Sequence, residues 1–195
     1  MLLTTVGLGG GIAAALALGG PVQRVVGMML VTPILTSLVG AVLGTAQAVQ
    51  RRRMRWQWVV ATTVGTGIGL AAGVVVVEQG GRFLTGQALR VAGLTPLMRA
   101  GSFLVVGAVA GLLLGVAQWL VVRRERPRVK NWVTATTAGL AVAFAASSVV
   151  VDGLLGGMRS PAGGLAFVLL AGVVFGALTS RPWRDARERT AAAYK

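Results

Sequence analysis

Nineteen basic and five acidic side chains cut the chain into six uncharged stretches, residues 1–23, 25–50, 56–77, 100–122, 131–151 and 160–180, none shorter than 21 residues. About 20 apolar residues suffice to carry a helix across a bilayer, whereas a helix in a soluble core needs no such length. The expected architecture is therefore an all-α integral membrane protein: six transmembrane helices forming one membrane domain over residues 1–195. Composition agrees, since only 12% of residues are charged and 55% are hydrophobic, against roughly 25% charged in soluble domains. The first stretch also fits a signal peptide, with Ala15-Leu16-Ala17 as a cleavage-like site. It lacks the basic lead of such peptides, so it is read as a retained helix.

The charges also predict orientation. Arg51, Arg52, Arg53 and Arg55 fall between the second and third stretches, Arg123, Arg124, Arg126, Arg128 and Lys130 between the fourth and fifth, and Arg181, Arg184, Arg187, Arg189 and Lys195 after the sixth. An even number of spans puts all of them on one side, with both termini and a basic tail over residues 181–195. By the positive-inside rule that side is cytoplasmic. Trp56, Trp58, Trp119, Trp132 and Trp183 lie near the same boundary, as an interfacial aromatic belt would. The expected arrangement is N-in/C-in in a bacterial inner membrane, with Arg51, Arg52, Arg53, Arg123 and Arg124 touching anionic lipid headgroups.

The chain repeats itself. Trp58–Gly65 (WVVATTVG) and Trp132–Gly139 (WVTATTAG) align at an offset of 74, and Thr4-Thr5-Val6-Gly7 is a shorter copy. VGAVLGTAQ, ending at Gln47, and AGLLLGVAQ, ending at Gln118, align at an offset of 71, and AGVVFGALT, ending at Thr179, follows at 61. Three two-helix hairpins are predicted, over approximately residues 1–50, 56–122 and 131–180. Every helix carries small residues four apart: Gly7, Gly11, Ala15 and Gly19; Gly40 and Gly44; Gly65, Gly69 and Gly73; Gly107, Gly111 and Gly115; Gly139, Ala143 and Ser147; Gly172 and Gly176. Spacing of four keeps each ridge on one helix face. In lipid, close backbone approach through such ridges is a main source of helix association. The ridges are read as packing surfaces, with lipid or pigment between helices as the other use of the space.

Polar groups at membrane depth are few. Gln47, Gln118 and Thr179 occupy equivalent positions about one turn inside the cytoplasmic boundary. They serve either as interhelical hydrogen-bonding groups or as the lining of a polar pathway. Pro33 is expected to kink its helix. Glu78 and Asp152, equivalent at the offset of 74, close the opposite ends of their helices near Arg24, Arg99 and Arg159. A carboxylate at a helix C-terminus opposes the helix dipole and calls for a basic partner, so Glu78–Arg99 and Asp152–Arg159 are the predicted pairs. Residues 78–101 form either an interfacial helix or a docking surface, with Phe83, Leu84, Ala88 and Val91 on one helical face. No ionisable residue lies mid-membrane, where a proton or solute relay would place one.

The chain has no Cys and no His. Their absence excludes disulfides, thiolate and imidazole metal sites and Cys or His nucleophile–base pairs. No catalytic residue, metal or required cofactor is expected. The loops are too short and membrane-bound for nucleic acid to be an expected partner. The G-x-x-x-G-x-x-Q-W run at Gly111–Trp119, followed by Arg123-Arg124 and a Trp-led A-T-T-x-G helix, resembles uncharacterised multi-spanning bacterial membrane proteins. The third copy departs from this pattern by ending in Thr179. That resemblance implies architecture and an inner-membrane location, and no activity. Two functions remain open: a non-catalytic accessory or scaffold subunit of a membrane complex, packed beside other membrane subunits, or a small pseudo-threefold channel or carrier for a solute or lipid.

Overall fold

The computed structural model describes residues 37–45, 47, 55–85, 94–123, 131–155, 163, 166–167 and 169–179. Among these residues the fold is entirely helical. Helix α1 covers 37–45, α2 Arg55–Thr85, α3 Pro96–Val122, α4 Trp132–Leu155 and α5 Leu169–Thr179. The start of α3 is fixed locally: Thr95 is extended, its hydroxyl accepts from the Met98 amide at 3.3 Å, and Pro96 takes the first helical position. A proline costs little there, because that amide has no intrahelical partner to lose.

The six-span expectation does not hold. Among the described residues three helices are long and apolar enough to cross a membrane: Trp56–Phe83 with 28 residues, Pro96–Val122 with 27 and Trp132–Leu154 with 23. At 1.5 Å per residue these reach about 42, 40 and 35 Å, against a hydrocarbon core of about 30 Å. Among the described residues the stretches 25–50 and 160–180 contribute α1 and α5, about 13 and 16 Å by the same measure. Stretch 1–23 lies outside the described residues. By sequence, the stretches 25–50 and 160–180 contain Pro33 and Pro161, a residue that a helix interior tolerates poorly. The three long helices contain only Pro96, at a start where proline is tolerated. The placement of both termini on one side rested on an even count of spans, and falls with it.

Helix α2 also runs past its expected end. Glu78 does not close it: the helix continues to Thr85, so that Arg82 lies in the last turn and Phe83 is exposed. Residues 78–85 are thus the end of a long helix rather than part of a separate surface helix, and 86–93 lie outside the described residues.

The helices pack antiparallel in the order α1, α2, α3, α4, α5, with glycine at most of the contacts. Gly40 and Gly44 lie against Val59, Thr62, Thr63 and Thr66 of α2. Gly65, Gly69 and Gly73 meet Leu114, Ala110 and Val106 of α3, and Gly107, Gly111 and Gly115 meet Leu140, Thr136 and Val133 of α4. Gly139 of α4 faces Phe175, Leu178 and Thr179 of α5. The row curls on itself, because Leu43 of α1 shares a buried cluster with Val151 of α4 and Phe167. The interior is filled by Ala110, Leu114, Leu140, Ala143, Ala171 and Phe175, and by Phe167 stacked on Phe103 and Phe144 at 5.1 and 5.4 Å between ring centres. Large apolar side chains also cover the outside: Val60, Val64, Ile68 and Val75 on α2, Leu112, Val116 and Leu120 on α3, Val142 and Val149 on α4. A soluble monomer rarely exposes so continuous an apolar surface, whereas hydrocarbon is its natural solvent. The chain has the build of a membrane protein.

Candidate functional site

Chemistry-bearing side chains gather at the two ends of the long helices. One end is set by Arg55 at the start of α2, Arg123 at the C-cap of α3 and Trp132 at the start of α4. Here Trp58, Val122 and Trp132 form a buried cluster with Val59, Trp119 and Val121 around it. The two indoles meet edge to face at 5.9 Å. Trp58 is 1% exposed and Trp132 5%, so neither belongs to an interfacial belt, contrary to expectation. Trp56, 78% exposed, does fit one, and Trp183 lies outside the described residues. Nearby charges place each Trp near a helix end, but they carry no information on the direction in which its ring points.

A polar layer sits beside this cluster. Trp58 donates its indole N–H to Gln47 Oε1 at 3.0 Å, joining α1 to α2. Gln118, 2% exposed, donates Nε2–H to Thr62 Oγ1 at 3.1 Å, joining α3 to α2. Thr179 is half-buried and donates to the Phe175 carbonyl at 2.8 Å within its own helix. Thr63, Thr136 and Thr137 bond back one turn in the same way, a habit of hydroxyls in apolar helices. The two glutamines are therefore engaged with neighbouring helices, and Thr179 is not. Ser37 Oγ stands directly against Gly67, so a side chain there would require the Ser37 hydroxyl to turn away.

The opposite end is marked by an ion pair. Arg99, one turn into α3, donates Nη1–H to Asp152 Oδ1 at 2.6 Å and Nη2–H to the Leu94 carbonyl at 3.2 Å. The two side chains are 20% and 8% exposed. This corrects the expected pairing of Arg99 with Glu78. The two acids are equivalent in the repeat, but α3 brings its first turn to the last turn of α4, while Glu78 is exposed on α2. Arg159, the expected partner of Asp152, lies outside the described residues.

Of the other predicted residues, Gly7, Gly11, Arg51, Arg52, Arg53 and Arg124 also lie outside them. Gly172 and Gly176 are buried in α5. Arg123 is exposed and holds its guanidinium 4.9 Å from the centre of the Trp119 ring, a cation–π contact near the helix end. Among the described residues no group of three Asp or Glu side chains could hold a metal ion. The Trp58–Gln47 bond was missed in the sequence, yet a signal was present: a repeat that places Trp at the start of one helix and Gln at the end of the preceding one puts both at one depth.

The repeat is visible in the contacts themselves. A Cβ on Gly40 would meet Thr62, Thr63 and Thr66, and one on Gly111 would meet Thr136, Thr137 and Leu140; Gly44 meets Val59 and Thr62, and Gly115 meets Val133 and Thr136. Every glycine partner is shifted by 71 and every facing residue by 74. Comparison with known protein families, characterised proteins and solved structures found no match.

Proposed function

We propose that the chain is a non-catalytic accessory or scaffold subunit of a protein complex in a bacterial inner membrane, packed beside other membrane subunits. The observation that carries this reading is the internal engagement of its polar groups. Gln118 bonds to Thr62, Gln47 to Trp58 and Arg99 to Asp152, while apolar side chains fill the space between helices. That leaves an apolar exterior as the surface on which the protein meets its surroundings. In this reading the arginine-rich tryptophan end faces the cytoplasm, where Arg51, Arg52, Arg53, Arg123 and Arg124 touch anionic headgroups. A lipid or pigment held between helices belongs to the same reading. The resemblance to multi-spanning bacterial membrane proteins fits the same assignment.

The test is isolation of the full chain in mild detergent, followed by reconstitution. The reading expects a defined membrane subunit to accompany it at fixed stoichiometry, and liposomes holding the isolated chain to be tight. A lone, stable monomer that passes a solute or lipid across liposomes would replace this reading with a channel or carrier.

A further inference from the structure

The four most exposed large apolar side chains among the described residues are Phe83 at 90%, Leu97 at 83%, and Trp56 and Leu154 at 78%. Trp56 opens α2 at the tryptophan end. The other three stand at the opposite end: Phe83 in the last turn of α2, Leu97 in the first turn of α3 and Leu154 in the last turn of α4. The glycine contacts set their level. Gly73 touches Val106, and Phe83 lies ten residues beyond the one while Leu97 lies nine before the other. Gly107 touches Leu140, with Leu97 ten residues before the one and Leu154 fourteen beyond the other. The three therefore fall within about 6 Å of one level, roughly a helical turn.

Charged groups share this end, since Glu78 and Arg82 of α2 are exposed beside Phe83. Hydrocarbon is a costly medium for the two charges, and water is a poor one for three large apolar side chains. The headgroup layer of a bilayer accepts both. Amphipathic helices lay Phe and Leu about 5–10 Å into the boundary between headgroups and acyl chains while their charged side chains stay wet. The length of α2 agrees. Trp56 and Phe83 are 27 residues apart, about 40 Å along a helix. Hydrocarbon alone spans about 30 Å, and a bilayer with its headgroups about 40–45 Å. We propose that Phe83, Leu97 and Leu154 are a membrane anchor, seated in the phospholipid headgroup layer at the end of the bundle away from Trp56. The run of α2 past Glu78 carries Phe83 into that layer, and exposed Trp56 occupies the opposite one. The anchor requires the three long helices to cross a bilayer, but it requires no partner subunit.

The chain has no cysteine, so Phe83→Cys, Leu97→Cys, Leu154→Cys and, as reference, Ile68→Cys each give one site for a nitroxide label. All four side chains are exposed, so a label there displaces no packed group. The full chain is reconstituted in liposomes of phosphatidylcholine and phosphatidylglycerol. Relaxation of each label by oxygen and by a water-soluble nickel chelate gives its depth, calibrated with spin-labelled lipids. Ile68 lies about 22 Å along α2 from Phe83 and should read near the bilayer centre. The other three should read at the phosphate level, within about one helical turn of it. Access to the chelate equal to that of a label free in water would put the three side chains in water and overturn the anchor. Shelter from both reagents would also overturn it, and would put a second copy of the chain over that surface. An Ile68 label open to the chelate would overturn the membrane placement itself, and the anchor with it. The three sites report separately, so a variant that fails to insert leaves the other two to decide.

Discussion

Replacing Gly107 with Ala adds one methyl group at the closest approach of a glycine to a neighbouring helix backbone among the described residues. A Cβ there would lie 2.6 Å from the Leu140 carbonyl oxygen, 2.9 Å from Ala141 Cα and 3.0 Å from Leu140 carbon. All three are backbone atoms, so no rotamer change relieves them. Ordinary contact begins at 3.4 Å, and α3 and α4 must therefore separate locally by several tenths of an ångström. A radial gap of 0.5–1 Å forfeits about a quarter to a half of each dispersion contact it opens, and overpacking of this kind typically costs about 1–3 kcal/mol. Gly101 supplies the control on the same helix: it is exposed, and a Cβ there meets nothing within 4 Å. Gly101→Ala should be neutral or stabilising by up to about 0.5–1 kcal/mol, from reduced backbone entropy in the unfolded chain. The assay is reversible unfolding of each variant in mixed micelles at fixed detergent composition, read by tryptophan fluorescence. Equal stability of the two variants would refute the claim that the glycine ridges are close-contact surfaces.

Other substitutions test the remaining contacts. Gly65→Ala should destabilise, because its Cβ would lie 2.9 Å from Leu114 Cα, while the repeat-equivalent Gly139→Ala should be tolerated, its nearest neighbours being side-chain carbons at 3.4 Å; the same unfolding assay separates them. Gln118→Leu should cost about 1 kcal/mol, and a double-mutant cycle with Thr62→Val should return a coupling of about 0.6 kcal/mol, the scale of interhelical bonds in membranes. Asp152→Ala leaves a largely buried guanidinium without its carboxylate and should cost about 3 kcal/mol, whereas Glu78→Ala, on an exposed side chain, should leave the unfolding midpoint unchanged. Trp58→Phe removes the N–H bonded to Gln47 and part of a fully buried ring, so it should lose about 1 kcal/mol for the bond plus the cost of the cavity it leaves, and increase proteolysis near α1.

What the sequence revealed was periodicity and depth. Gly107, Gly111 and Gly115 were legible as a ridge because spacing of four maps onto one face whatever lies opposite. That Thr136 and Leu140 lie opposite was not legible, since nothing local encodes which helix approaches. Charge-free length was an incomplete guide to spans. It located α2, α3 and α4, but it counts residues without charge and does not weigh Pro33 and Pro161, which two of the stretches contain. The pairing of Arg99 was misassigned for a related reason. Glu78 is its nearer acid in sequence, yet α3 places its first turn against the end of α4, 53 positions away.

The repeated contacts indicate where the chain's design is most constrained. Two kinds of interface alternate along the row: within a hairpin, α2 on α3 and α4 on α5, and between hairpins, α1 on α2 and α3 on α4. The two between-hairpin contacts are nearly identical, with Cβ approaches of 2.8–2.9 Å at Gly40 against 2.8–3.1 Å at Gly111, and 3.0–3.2 Å at Gly44 against 3.1–3.3 Å at Gly115. The within-hairpin contacts diverge: Gly65 meets Leu114 Cα at 2.9 Å, whereas Gly139 meets only side-chain atoms from 3.4 Å outward. The positions following them also differ, Gly69 and Gly73 being replaced by Ala143 and Ser147. What sets the Gly139 contact apart is the atom met: backbone atoms at Gly40, Gly44, Gly111 and Gly115, but only side-chain atoms at Gly139, and a backbone contact fixes register because no rotamer change can relieve it. The structural unit that repeats most faithfully is therefore the contact of α1 on α2 and of α3 on α4, a glycine pair seated on the Thr-Thr face of the helix that follows it.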